Sequence, residues 1–96
     1  MPKASGKMFS FKSAKEIKTS FLESLPYKGK PQLIRIETEE LTAVCPFSGL
    51  PDFARLVVEY VPKSLIIELK SLKYYLVSYR EVGIYQEDLT NRIYGD

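Results

Sequence analysis

The chain has no histidine and one cysteine in 96 residues. The first absence removes the commonest general base and the commonest metal ligand. The second forbids an internal disulfide and a multi-cysteine zinc site, and it fits a reducing cytoplasm. Any catalysis must therefore use cysteine, aspartate, glutamate, lysine or tyrosine. No apolar run approaches the roughly 20 residues needed to span a bilayer. Met1-Pro2-Lys3-Ala4-Ser5-Gly6-Lys7 is not followed by the hydrophobic core of a secretory signal. There is no glycine-rich phosphate loop and no dinucleotide fingerprint. A hydrophobic fraction of 45% argues against general disorder, and the length makes one small domain.

Charge is unevenly placed. Residues 1–30 hold seven lysines against Glu16 and Glu23, a balance of +5, whereas residues 31–96 hold seven basic and ten acidic groups, a balance of −3. A basic leader with a short helix (1–30) thus precedes a mildly acidic body (31–96). A solvated tail is the ordinary reading of such an arm; contact with nucleic acid or another polyanion is the functional one.

Ser13-Ala14-Lys15-Glu16 has the pattern of a capping box, and Ile17, Phe21, Leu22 and Leu25 follow at helical spacing, predicting a helix over about 13–24 that Pro26 ends. Gln32 to Val44 reads as extended structure whose middle, Glu37-Thr38-Glu39-Glu40, is either the solvent-facing part of one long strand, the favoured reading, or a hairpin turn. Ala54 to Val61 reads as a second strand, antiparallel to the first. Leu65, Leu69, Leu72, Leu76 and Tyr79 define a helix face that Gly83 terminates. A second helix starts near Tyr85 and carries Leu89 and Ile93. Two strands make a thin sheet, so more chain or another subunit must complete it.

The stretch between the strands draws attention. Cys45 and Asp52 are separated by a loop holding Pro46, Gly49 and Pro51. A stiff turn with a thiol at one end and a carboxylate at the other suits a nucleophile and a proton donor. A small buried hydrophobe and a turn cap are the plain structural alternatives. Farther on, Lys70 and Lys73 lie three apart, off the apolar face, with Ser71 between them. They form either a phosphate-holding group or an ordinary solvated face. Glu68 and Glu87 each stand near a helix start, where a carboxylate is favoured; Glu87 also has the chemistry to accept N–H bonds from a base.

Val44-Cys45-Pro46 through Gly49, Pro51, Asp52, Phe53 and Ala54 resembles the nucleophile loop of the QueF family, nitrile reductases acting on 7-cyano-7-deazaguanine. Glu68-Leu69-Lys70-Ser71-Leu72-Lys73-Tyr74-Tyr75 matches that family's signature, E-[SL]-K-[SA]-h-K-[LY]-[YFW], at every position, and the spacing between loop and signature agrees. The resemblance covers about residues 31–94. It implies an α+β tunnelling fold (T-fold), an antiparallel sheet with two helices on one face, assembled into a homo-oligomer with active sites between subunits. It implies that Cys45 adds to the nitrile carbon as a thiolate, giving a thioimide, and that Asp52 supplies protons. NADPH then carries the nitrile to the aminomethyl group, a step of queuosine biosynthesis for tRNA. Glu87 and Gln86 would meet the base edge, with Ile67, Glu68 and Leu69 also lining the substrate. Lys70, Ser71 and Lys73 would contact NADPH.

Two departures from the family pattern stand out. The family usually has histidine before the substrate-binding glutamate; Gln86 can hydrogen-bond there but cannot titrate. Family members also continue past the second helix into another strand pair, whereas this chain stops at Asp96. That marks a truncated form, an incomplete reading frame, or a short form completed by its neighbours.

Three rival readings follow. The archaeal amidinotransferase relative has a similar cysteine and aspartate but adds ammonia to the same nitrile within tRNA, which the basic arm would suit. It needs no NADPH, so the lysine-containing signature favours the reductase. The other two are a catalytically dead T-fold subunit and a basic nucleic-acid-binding module resting on residues 1–30.

Overall fold

A computed structural model describes residues 12–96. Its backbone is built on a long hairpin, β1 excepted: β1 is Ser24–Pro26, β2 Ile34–Val44, β3 Pro51–Tyr60 and β4 Leu65–Ile67, followed by α1 Leu69–Val77 and α2 Gln86–Gly95. β2 and β3 pair antiparallel, and β1 pairs antiparallel with β4 as a separate two-stranded sheet. This is the expected α+β, tunnelling-fold arrangement of antiparallel strands and two helices. The expected polar-centred strand over 32–44 and its antiparallel partner are both present. β3 starts three residues earlier than expected, because Pro51, Asp52 and Phe53 pair with Val44, Ala43 and Thr42.

Hydrophobic alternation explains the hairpin's face. Along β3, Asp52, Ala54, Leu56, Val58 and Tyr60 are partly buried, and the residues between them are exposed. Along β2 the residues covered on that face are Ile34, Ile36 and Thr38, then Leu41 and Ala43; Thr42 is partly covered and Val44 is buried beside residues 82–84. Even numbers change to odd. A β-bulge makes the change: Thr38 faces Leu56 and Leu41 faces Ala54, so Glu39 and Glu40 together oppose Arg55. Without that extra residue, Leu41 and Ala43 would turn to solvent.

The helices cover this face. Leu72, Tyr75, Leu76 and Tyr79 of α1 and the turn after it are buried together with Leu41, Ala43, Val82, Leu89 and Ile17. Tyr75 and Tyr79 are fully buried; their hydroxyls meet at 2.6 Å, and Tyr75 donates to the Asp96 carboxylate. Burial raises the pKa of both phenols, so the pair stays neutral. Arg92 holds Asp96 from the other side at 2.7 Å, fastening the end of α2 to α1.

Three local expectations are corrected. The helix over 13–24 is absent; single 3-10 turns, Ala14–Glu16 and Thr19–Phe21, lead into β1, and Ser13 makes no side-chain cap. A short isolated helix is marginal, and here side-chain bonds from α1 hold the segment extended: Lys18 N–H donates to Ser78 Oγ at 3.0 Å and Glu23 N–H to Ser71 Oγ at 2.9 Å. Next, α1 does not include Leu65. Leu65, Ile66 and Ile67 pair with β1, and Leu65 and Leu69 are exposed. Finally, Gly83 is not the helix stop. The helix has already ended at Val77, and Gly83 bridges to Val44. The expected leader over residues 1–11 lies outside the described residues. Among the described residues no helix is long and apolar enough to cross a membrane.

Leu76 is 2% exposed at the centre of the packed face. Leu76→Ala should destabilise the fold by about 2–5 kcal/mol, read as a lower urea midpoint with an unchanged slope.

Candidate active site

The closed end of the hairpin is a tight turn. Cys45 N–H donates to Leu50 O at 2.8 Å, and Gly49 N–H returns to Cys45 O at 2.7 Å. Gly49 has φ 75, a left-handed conformation that favours glycine, and it is buried. The turn thus presents Cys45, partly exposed, with its thiol free. Cys45 continues the covered parity of Leu41 and Ala43, and Asp52 stands opposite Ala43. Thiol and carboxylate are therefore diagonal neighbours on one face, within reach of a common ligand.

The turn also tunes the sulfur. Hydrogen bonding from the Ser48 backbone N–H, then from the Phe47 N–H and the Ser48 hydroxyl, holds the Cys45 pKa below its ordinary value. Desolvation and the Asp52 charge act in the opposite sense. Ser48 escaped the sequence reading. The signal was available: a serine three residues after a cysteine, inside a proline–glycine turn, directs N–H and hydroxyl back at the sulfur.

A second element joins the same end. Val44 N–H donates to Val82 O at 3.0 Å, and Ile84 N–H donates to Val44 O at 3.1 Å. Residues 82–84 run alongside the end of β2 and pass directly into α2. Gln86 and Glu87, the first two residues of that helix, are exposed, and among the described residues neither side chain has a hydrogen-bond partner. Cys45, Asp52, Gln86 and Glu87 thus lie toward one end of the molecule.

The signature residues lie toward the other. Ile67 N–H donates to the Tyr60 hydroxyl at 3.0 Å. Tyr60 is eight residues along β3 from Asp52, roughly 26 Å at about 3.3 Å per residue. The start of α1 is thus on the order of 20 Å from the sulfur, and one chain does not bring the two groups together. Glu68 caps α1: its carboxylate accepts from Lys70 N–H at 3.0 Å and Ser71 N–H at 2.6 Å, bonds that lower its pKa. Ser71 is buried, its hydroxyl bonded to Glu68 O at 2.6 Å and to the Glu23 backbone. Leu69, Lys70 and Lys73 are exposed, and among the described residues neither lysine has an ion-pair partner. Two outward ammonium groups beside an aromatic residue, Tyr74, fit the phosphates and rings of a dinucleotide. No group of metal-ligating side chains occurs among the described residues.

The family model for QueF-like protein matches residues 51–96. Among curated proteins, the chain is 59% identical over 97 residues to the NADPH-dependent 7-cyano-7-deazaguanine reductases of Thermotoga petrophila and Thermotoga maritima, covering all of this chain and 71% of each of those proteins. It is 48% identical over 90 residues to the protein of the same name from Caldicellulosiruptor bescii, covering 92% of this chain and 69% of that one.

Ser48→Ala should raise the pKa of Cys45. Alkylation by iodoacetamide, followed from pH 6 to 10, should show a rate profile displaced to higher pH. The wild-type thiol, with its lowered pKa, should keep its reactivity further toward neutral pH. Coincident profiles would mean that the Ser48 hydroxyl does not act on the sulfur and that the Ser48 and Phe47 backbone N–H groups, which alanine at 48 retains, account for the shift.

Proposed function

Since the chain belongs to the family of NADPH-dependent 7-cyano-7-deazaguanine reductases, we propose that it reduces the nitrile of 7-cyano-7-deazaguanine to the aminomethyl group through a thioimide on Cys45. The observation that carries this reading is the turn itself. It offers a thiol whose pKa is lowered by Ser48 and Phe47, with the Asp52 carboxylate on the same face.

The Cys45 thiolate adds to the nitrile carbon, forming a C–S bond, while nitrogen takes a proton from Asp52. A nitrile becomes a primary amine by gaining four electrons, which NADPH, when bound, supplies as two successive hydrides. Between the two, the C–S bond breaks and the sulfur leaves as thiolate, stabilised by the same N–H groups that lowered its pKa. Asp52 delivers protons to nitrogen and is recharged from solvent. Glu87, unpartnered and exposed at the start of α2, accepts from the ring N–H donors of the base, and Gln86 adds a neutral hydrogen bond. A ring lacking those donors would leave the Glu87 carboxylate unpaired, which gives discrimination.

Lys70 and Lys73 hold the anionic cofactor. Ser71 serves that binding by position, since its hydroxyl already fixes the helix from which they project. Because the start of α1 lies far from Cys45 in one chain, the complete site draws Cys45, Asp52, Gln86 and Glu87 from one copy. Ile67, Glu68, Leu69 and the lysines then come from another. Among the described residues the outer edge of β3, and that of β2 before Val44, carry no further strand, and they supply the means of assembly. The product would enter tRNA modification in the cytoplasm.

Mixing the protein, 7-cyano-7-deazaguanine and NADPH should consume NADPH absorbance at two equivalents per amine formed. Without NADPH, the intact mass should rise by that of the nitrile, and Cys45→Ala should abolish both signals. Asp52→Asn should still bind the base but slow reduction by roughly 10²-fold or more, and Lys70→Ala should raise KM for NADPH more than KM for the nitrile. Absence of NADPH oxidation, with ammonia incorporated into nitrile-bearing tRNA, would replace this reading with amidine formation.

A further inference from the structure

We propose that the segment before β1 builds part of the cofactor site, with Phe21 and Tyr74 forming an edge-to-face corner in which the adenine ring of NADPH stacks on one ring and packs against the other. This rests on the reductase reading and adds a region that reading did not use. Residues 18–23 are lashed along α1 at two points, Lys18 N–H to Ser78 Oγ and Glu23 N–H to Ser71 Oγ. The two serines are seven residues apart, two helical turns, and the earlier strap residue meets the later serine, so the strap runs antiparallel alongside α1. Between the ties it places Phe21 against Tyr74, ring centroids 6.4 Å apart at 68°.

Both rings remain open, Phe21 46% and Tyr74 55% exposed. Neither belongs to the core; Ile17 and Leu22 anchor the segment there, which leaves the two rings open to a ligand. Lys70 Nζ stands 6.0 Å from the Tyr74 ring centre. The resulting groove, about 480 Å³, is lined by Ser20, Phe21, Glu23, Lys70 and Tyr74, with Glu68 and Ser71 at its base. Its chemistry is that of a nucleotide site: aromatic faces for a base, an ammonium for phosphate, and a carboxylate, Glu23, for an exocyclic amine or ribose hydroxyl. Glu68 keeps its charge, but the positive end of α1, whose first N–H groups it accepts, partly offsets it. The ring held here is the unreactive one. The nicotinamide must instead reach the Cys45 that the other copy supplies beside Ile67, Glu68 and Leu69.

The test uses adenosine 2′,5′-bisphosphate and nicotinamide mononucleotide as probes of the two halves of the cofactor. Adenosine 2′,5′-bisphosphate should compete with NADPH in the wild type. Phe21→Ala should weaken that competition roughly tenfold and raise KM for NADPH in proportion, with a much smaller change in kcat. Phe21→Tyr should restore both, and the nitrile adduct on Cys45 should form at the wild-type rate in each variant. If the wild type turns over and Phe21→Ala shows an unaltered KM and unaltered competition, this inference alone fails. It also fails if the variant instead weakens nicotinamide mononucleotide. A wild type that neither oxidises NADPH nor binds adenosine 2′,5′-bisphosphate overturns both this inference and the reductase reading.

Discussion

Two backbone hydrogen bonds at Val44 join the hairpin to everything that follows it. Val44 donates to Val82 and accepts from Ile84, so the last residue of β2 is fixed on both its polar groups. The next residue is Cys45. The next helix after Ile84 is α2, which carries Glu87. A thiol and a helix-start carboxylate that are 42 positions apart in sequence are thereby referred to one short piece of backbone. The joint is protected because Val44 and Val82 are both buried, and a buried N–H or C=O must be paired. Any rearrangement separating the cysteine turn from α2 would leave those groups unsatisfied, at a cost of about 1–3 kcal/mol each.

The same economy of position explains why α1 serves two roles. A helix divides its residues by face, and the signature divides accordingly. Ser71, Leu72 and Tyr75 turn inward and are buried, and Glu68 closes the first turn. Lys70, Lys73 and Tyr74 lie at i, i+3 and i+4 and turn outward. The inward set therefore fixes the orientation of the outward set, and the lysines need no contact of their own to be held in place. Their ammonium groups stay solvated, which avoids the penalty of burying an unpaired charge.

Much of this was legible in the sequence because it depends on local chemistry. The proline–glycine turn around Cys45, the alternation of β3 and the spacing of Leu89 and Ile93 each carry their own signal. What was not legible came from tertiary contacts. Leu65 stands four residues before Leu69 and so extends the apparent helix face, but Ile66 and Ile67 are β-branched and find a partner in Leu25 and Ser24. The strap over 18–23 has the apolar spacing of a helix, yet its backbone bonds go to two serines about 50 to 60 residues away. No window of local sequence contains both ends of such a bond. The bulge at Glu39-Glu40 lies between these cases. The switch from Ile34, Ile36 and Thr38 to Leu41 and Ala43 is visible as a change of parity, and only an extra residue reconciles it with one covered face.

The bulge also bears on how the site is divided. On the exposed face, Arg55 bonds to Glu37 and Arg35 bonds to both Glu37 and Glu59, a ladder across the two strands on the hairpin's open-end side of the bulge. Exposed pairs of this kind add little stability individually. Their Coulombic pairing does lower the charge that the face presents, which two acidic strands would otherwise repel from a neighbouring sheet. The ladder thus leaves the outer face of the hairpin paired in charge while Arg55, opposite the bulge, stays exposed.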